Sequence, residues 1–94
     1  MKLRTDIEAM TPNELVSWFL IGCYAYYELS EPVMTDTDFD FLVERLKEEW
    51  DNADHYHKEI IDKGHLEATT GYDIVYPKII KYATRGYILR MTSQ

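Results

Sequence analysis

The stretch Leu15–Tyr27 limits what this chain can become: thirteen consecutive residues in which Ser17 is the one clearly polar side chain. Directly before it, Thr11-Pro12-Asn13-Glu14 is a helix-start signal, with a Thr cap for orphan amides, Pro at the first helical position and Glu three residues on to close a capping box. Directly after it, Ser30-Glu31-Pro32 is a stop, because proline cannot continue the hydrogen-bond ladder and pushes its predecessor out of helical geometry. In the helix so bounded, Leu15, Trp18, Phe19, Gly22, Cys23 and Tyr26 share one apolar face, while Leu20, Tyr24 and Tyr27 cover another. The segment is too short for a bilayer, which takes about 20 residues. Two outcomes are therefore expected: a helix central to its own core, or a homo-oligomer formed through this first helix.

A second helix follows the turn. Thr35 to Asp38 repeats the capping pattern, and Phe39, Leu42, Val43, Leu46 and Trp50 recur at helical spacing with charges between them. Helices joined by so short a connection pack most simply as an antiparallel hairpin, over about residues 11–50. That geometry makes Tyr26, Tyr27, Asp36 and Asp40 neighbours. Residues 51–72 read as a polar connection with Gly64 and Gly71 as breakers and a short helix near Lys58–Lys63. Beyond it, Tyr76, Ile79, Ile80, Ala83 and Tyr87 have helical period, predicting a C-terminal helix over about 74–90 with Pro77 in its first turn; Ile74 and Val75 are alternatively extended. The expected fold is all-α, a single small helical domain over 1–94 built on a helical hairpin plus a C-terminal helix.

Charge and composition narrow the function classes. The net charge of −7 argues against generic binding to DNA or anionic membranes, both of which need a positive surface. The charge is also unevenly spread: Glu31–Asp54 holds nine acids against Arg45 and Lys47, whereas the residues after Asp73 hold Lys78, Lys81, Arg85 and Arg90 and no acid. Cys23 is the one cysteine, so neither an intrachain disulfide nor a thiolate zinc cluster is expected, and a cytoplasmic setting fits. Met1–Thr11 alternates charged and apolar residues without the apolar run of a secretion signal.

Candidate catalytic and metal groups are sparse. His55, His57 and His65, with Asp51 and Asp54, have the ligand types for a divalent metal but spacing that loops produce by chance, so no metal is expected. Ser17 and Cys23 fall on an apolar helix, far in sequence from any histidine, which suits packing residues better than nucleophiles. Asp36, Asp38 and Asp40 lack the glycine and the twelfth-position glutamate of a calcium loop, and acids in a first helical turn are accounted for by the macrodipole. No glycine-rich phosphate loop is present, and no enzymatic activity is expected. What remains is a crowd of tyrosines beside carboxylates, a combination suited to a flat, positively charged ring.

Tyr24-Ala25-Tyr26-Tyr27, then Pro32, then Thr35-Asp36-Thr37-Asp38-Phe39-Asp40 and Leu42, resembles the N-terminal Ia domain of bacterial NAD-dependent DNA ligases. The family pattern is a tyrosine-rich helix end, a D-x-P turn, an S-D-x-E-Y-D helix start and a following leucine. The resemblance covers Tyr24–Trp50, less than a third of the chain. It implies a helical hairpin that holds the nicotinamide mononucleotide half of NAD, with ligand contacts falling on Tyr26, Tyr27, Asp36, Phe39 and Asp40. Two positions depart: Ser30 stands where the family has Asp, and Phe39 replaces its Tyr, keeping a stacking ring and losing a hydroxyl. The family's K-x-D-G lysine motif is missing, so sealing of DNA by this chain is not expected. The second half, with Gly71-Tyr72-Asp73-Ile74 and Tyr76-Pro77-Lys78-Ile79-Ile80, is similar instead to small stand-alone ligase-related proteins of bacteriophages.

Two functions are thus expected. The first is a non-catalytic domain binding NAD or nicotinamide mononucleotide. The second is an acidic protein-interaction module presenting Glu44, Glu48 and Glu49. A phage-encoded inhibitor of a host nucleic-acid-binding or defence protein, of the anti-CRISPR or anti-restriction type and acting in the host cytoplasm, would be such a module.

Overall fold

The computed structural model describes residues 1–61 and 74–92, and among these every regular element is helical. Four α-helices occur there: α1 (Arg4–Glu8), α2 (Pro12–Tyr27), α3 (Asp36–Glu48) and α4 (Lys78–Thr92). Short 3-10 turns at Trp50–Asn52 and Tyr56–Ile60 follow α3. The fold is all-α, and none of its described helices is long and apolar enough to cross a membrane.

The start of α2 is fixed by its cap. The Glu14 amide donates to Thr11 Oγ1 at 3.2 Å and the Thr11 amide donates to Glu14 Oε1 at 2.9 Å, closing the capping box. Hydrogen bonds to the Glu14 carboxyl from the Thr11 amide, and secondly from the Thr11 side chain, hold it below its usual range. At the other end the chain leaves through Ser30, whose φ of 53° puts a non-glycine residue in the left-handed region, while the Glu31 amide donates back to the Ala25 carbonyl. Thr35 then accepts from the Asp38 amide at 3.2 Å and opens α3.

Packing explains why α2 is apolar on nearly all sides. Leu15, Val16, Phe19, Leu20, Cys23, Tyr24 and Ala25 are all buried, with α3 on one flank and α4 on another. Leu42, Val43 and Leu46 of α3 close one side of the core, and Ile80 and Thr84 of α4 close another. Each fully buried Leu or Phe stabilises the fold by roughly 1.5–3 kcal/mol. The second apolar face of α2 packs within the same chain, Trp18 edge-on against Tyr87 of α4 (5.1 Å) and Tyr24 against Tyr76, just before α4 (5.3 Å). Arg85 Nη2 also donates to the Tyr24 hydroxyl at 3.3 Å.

Residues 1–10, for which the sequence predicts no element, are built into the fold: the Lys2 amide donates to the Val33 carbonyl at 2.9 Å, Ile7 is fully buried, and the Arg4 guanidinium lies 4.1 Å from the Phe41 ring centre. Trp50 belongs to a 3-10 turn and is no part of α3, because the Glu49 amide already closes the helix on the Arg45 carbonyl. The short helix expected near Lys58–Lys63 is 3-10, begins at Tyr56 and ends at Ile60. Gly64, Gly71, His65 and the rest of the connection after Ile61 lie outside the described residues. The C-terminal helix starts at Lys78, with the Pro77 carbonyl accepting from the Ile80 and Lys81 amides. Ile74–Tyr76 precede it outside any helix. Its inward line runs through Ile80 and Thr84, whereas Ile79 and Ala83, which share the helical period, face solvent. A buried threonine is tolerated there because its Oγ1 donates to the Ile80 carbonyl at 2.7 Å.

Candidate functional site

The last two turns of α2, the first turn of α3 and the segment between them enclose a cavity of about 340 Å3. That is near the lower end of the ~300–1,000 Å3 of small-molecule pockets. Tyr26, Tyr27, Asp36, Phe39 and Asp40 all line it, so the five candidate residues from two separate helices are brought together. Gly22, Cys23, Val33 and Met34 form a buried floor, while Tyr26, Pro32, Asp36 and Asp40 form an exposed rim.

Helical spacing sets the arrangement of these groups. Tyr26 and Tyr27 end α2, and their rings meet edge to face at 4.9 Å and 85°, leaving Tyr26 53% exposed. Asp36 is the first residue of α3 and Asp40 lies one turn later, which aligns both carboxylates along one helix edge. Among the described residues neither forms an ion pair, so both remain available as acceptors.

Phe39 sits deeper, near-parallel to buried Phe19 with ring centres 5.7 Å apart. Its position depends on Gly22: a Cβ there would lie 2.9 Å from Phe39 Cε1 and 3.1 Å from Cδ1. Carbon atoms prefer about 3.5–4.0 Å, so only glycine lets the ring lie against α2.

Cys23 lines the same cavity but is chemically quiet. Burial pushes its thiol up to about 12, and a hydrogen bond from the Tyr76 hydroxyl offsets only part of that shift. Tyr76 is in turn raised well above the usual tyrosine value, chiefly by burial.

One pair that is distant in sequence does meet. Ser17 Oγ is 3.0 Å from His55 Nε2, and His55 Nδ1 accepts from the His57 amide at 3.1 Å. An accepting Nδ1 leaves the ring proton on Nε2, so the imidazole donates to Ser17 and does not withdraw a proton from it. Burial, then the neighbouring His57, lower the His55 pKa and favour this neutral form. The pair ties the turn at 55–57 to α2, as does Asn13, whose Oδ1 accepts from the Asp54 amide at 2.7 Å. Among the described residues no three His, Cys, Asp or Glu side chains group to hold a metal. An open depression beside His55 is lined by Trp50, Lys58, Glu59 and Ile61, and the Lys58 ammonium already lies over the Trp50 ring at 4.7 Å.

The acidic face is narrower than expected. Asp40, Glu44 and Glu48 recur every four residues and are exposed, so they form one stripe on α3. Glu49 belongs elsewhere, because it is the C-cap residue, half-buried, and accepts from Asn52 Nδ2 at 2.9 Å. Glu44 also pairs with Lys47 at 3.4 Å.

No family model matches the chain, and comparisons with curated proteins and with solved structures give no match. Gly22, Val33 and Met34 were not read as site residues from sequence, although a glycine inside an otherwise apolar helix and an apolar pair in a turn were both visible signals.

Proposed function

We propose that the chain is a non-catalytic binding domain whose α2–α3 cavity takes a flat, positively charged aromatic ring, the nicotinamide end of NAD or nicotinamide mononucleotide. The observation that supports this reading is the meeting around a single cavity of about 340 Å3 of three aromatic rings and two carboxylates that form no ion pair among the described residues. Tyr26, Tyr27 and Phe39 supply faces and edges on which a pyridinium ring is attracted. Asp36 and Asp40 accept from amide or ribose donors at the rim.

Calorimetric titration with nicotinamide mononucleotide and NAD, beside adenosine monophosphate as a control for indiscriminate stacking, tests the reading. Binding selective for the nicotinamide compounds is expected. Asp36→Ala should weaken it by roughly 10- to 100-fold, the value of a charge-assisted hydrogen bond of ~1.5–3 kcal/mol. Absence of heat at millimolar ligand would defeat the proposal.

A second reading is favoured by the exposed Asp40, Glu44 and Glu48 stripe, which would serve as an acidic docking face for a basic protein. Charge reversal at Glu44 and Glu48 would abolish that contact and leave nucleotide binding intact.

A further inference from the structure

The outer face of α4 has a pattern that neither reading uses. Ile79, Tyr82 and Leu89 are 60%, 72% and 67% exposed, and their spacing puts them on a single stripe opposite buried Ile80 and Thr84. Single exposed apolar residues are ordinary, but a line of them along one helix marks an interaction surface. Gly86 lies between Tyr82 and Leu89 on the same stripe, and a Cβ added to it meets nothing within 4 Å. In contrast to Gly22, it is required by no contact inside this chain, yet it weakens the helix relative to alanine. A notch between two large apolar side chains is the shape that lets a second helix come close.

Charge decides which helix fits. Lys78, Lys81, Arg85 and Arg90 flank the stripe, and no acid follows Asp73. A second copy docking through α4 would bring two such cationic helices to ~8–10 Å, the spacing of packed helices. An anionic bilayer extends beyond α4 and would also meet the acidic remainder of a chain whose net charge is −7, whereas a single acidic helix contacts the cationic α4 alone. We infer that α4 presents a docking surface for an acidic amphipathic helix of another protein, whose apolar side chains cover Ile79, Tyr82 and Leu89 and whose carboxylates meet the flanking bases. Its surface lies on a different helix from the α2–α3 cavity and does not depend on what that cavity binds.

The probe is a fluorescently labelled synthetic peptide of about four helical turns, with Leu at the a and d positions and Glu at e and g. Anisotropy titration should show binding that weakens at least tenfold between about 50 and 500 mM salt, because exposed charges are screened over that range. Tyr82→Ser and Gly86→Leu should each weaken it at least tenfold without lowering the melting temperature by more than a few degrees, since neither position supports the core. Asp36→Ala should leave it unchanged. No peptide binding at millimolar concentration in low salt, or equal binding by Gly86→Leu, overturns the inference. Sedimentation as a dimer that Tyr82→Ser dissociates would assign the face to a second copy. Binding to phosphatidylserine vesicles in place of the peptide would assign it to a membrane. Either result overturns it too.

Discussion

Gly22 and Gly86 are both helix-interior glycines, one buried against Phe39 and the other half-buried with open space before it, and replacing each by alanine weighs the contact that shapes the cavity against helix propensity. In an unobstructed helix interior, Gly→Ala stabilises by about 0.8–1.0 kcal/mol. Gly86 is unobstructed, since an added Cβ meets nothing within 4 Å. For a domain of this size ~1 kcal/mol corresponds to roughly 4–8 °C in melting temperature, so Gly86→Ala should melt higher by that amount. Gly22→Ala gains the same propensity term but sets its Cβ 2.9 Å from Phe39 Cε1 and 3.4 Å from Met34 Cε. Relief requires the Phe39 ring to move off Phe19, forfeiting a stacked pair of about 0.5–1.5 kcal/mol, or α3 to shift from α2 at an overpacking cost of about 1–3 kcal/mol.

The expected outcome is that Gly22→Ala melts at or below the parent and at least ~4 °C below Gly86→Ala, by thermal circular dichroism and by urea unfolding with an unchanged m-value. The displaced Phe39 should also reduce nicotinamide nucleotide binding in the Gly22 variant. Equal stabilisation by the two alanines would refute the argument that Gly22 exists to seat Phe39.

Three further outcomes follow from single features. Ser30 has φ of 53°, and for a residue with a Cβ that conformation costs ~1–2 kcal/mol, so Ser30→Gly should raise the urea midpoint by the equivalent of about 0.5–1 kcal/mol once glycine's greater unfolded freedom is subtracted. A fall in stability would mean that the Ser30 side chain matters more than its backbone angle. His55 has a lowered folded-state pKa, so the unfolded chain binds the extra proton first. Its contribution to stability is present above the unfolded value of about 6.5 and is lost as pH falls through the folded pKa, and His55→Gln should flatten the urea-midpoint profile between about pH 7 and 5. An unaltered slope would exclude His55 as its source. Cys23, with its thiol pushed up to about 12, should react with a thiol reagent at pH 8 on the order of a thousand-fold more slowly than in the urea-unfolded chain; comparable rates would mean the thiol is not buried.

The parts of the fold legible in the sequence are those written in local chemistry. Thr11 and Thr35 each announce a helix through a hydroxyl that reaches an amide three residues on, and both do so in the structure. The hairpin follows because Pro32 and the left-handed Ser30 permit only a short reversal between those two caps. What stayed hidden depends on pairings between distant segments. The N-terminal ten residues give no strong periodic signal, yet Arg4 over Phe41 and Arg45 donating to the Met10 carbonyl at 3.4 Å fasten them to α3. Ser17 and His55 are 38 residues apart, and only the path of the chain after α3 brings them within 3.0 Å.

α4 shows what periodicity alone leaves open, which face of a helix turns inward. Two apolar lines run along it: Ile80, continuing from Tyr76 just before the helix, leads toward the core, while Ile79, Tyr82 and Leu89 lead outward. By hydropathy the outward line is the stronger candidate, because the inward one includes Thr84, whose hydroxyl is invisible to the core only through its bond to the Ile80 carbonyl. The deciding contacts are made by α2, whose Trp18 and Tyr24 meet Tyr87 and Arg85 and thereby fix the rotation of α4 about its axis. Once that rotation is set, Ile79 cannot also be buried, since about 100° separates consecutive residues on a helix. Two apolar lines for one core is therefore an excess that packing among the described residues does not consume. The same asymmetry is absent from α3, where the outward line is Asp40, Glu44 and Glu48. Solvent alone would favour on α4 the polar exterior that α3 has, and the exposure of tyrosine, isoleucine and leucine there is the physical ground for expecting a partner at that face.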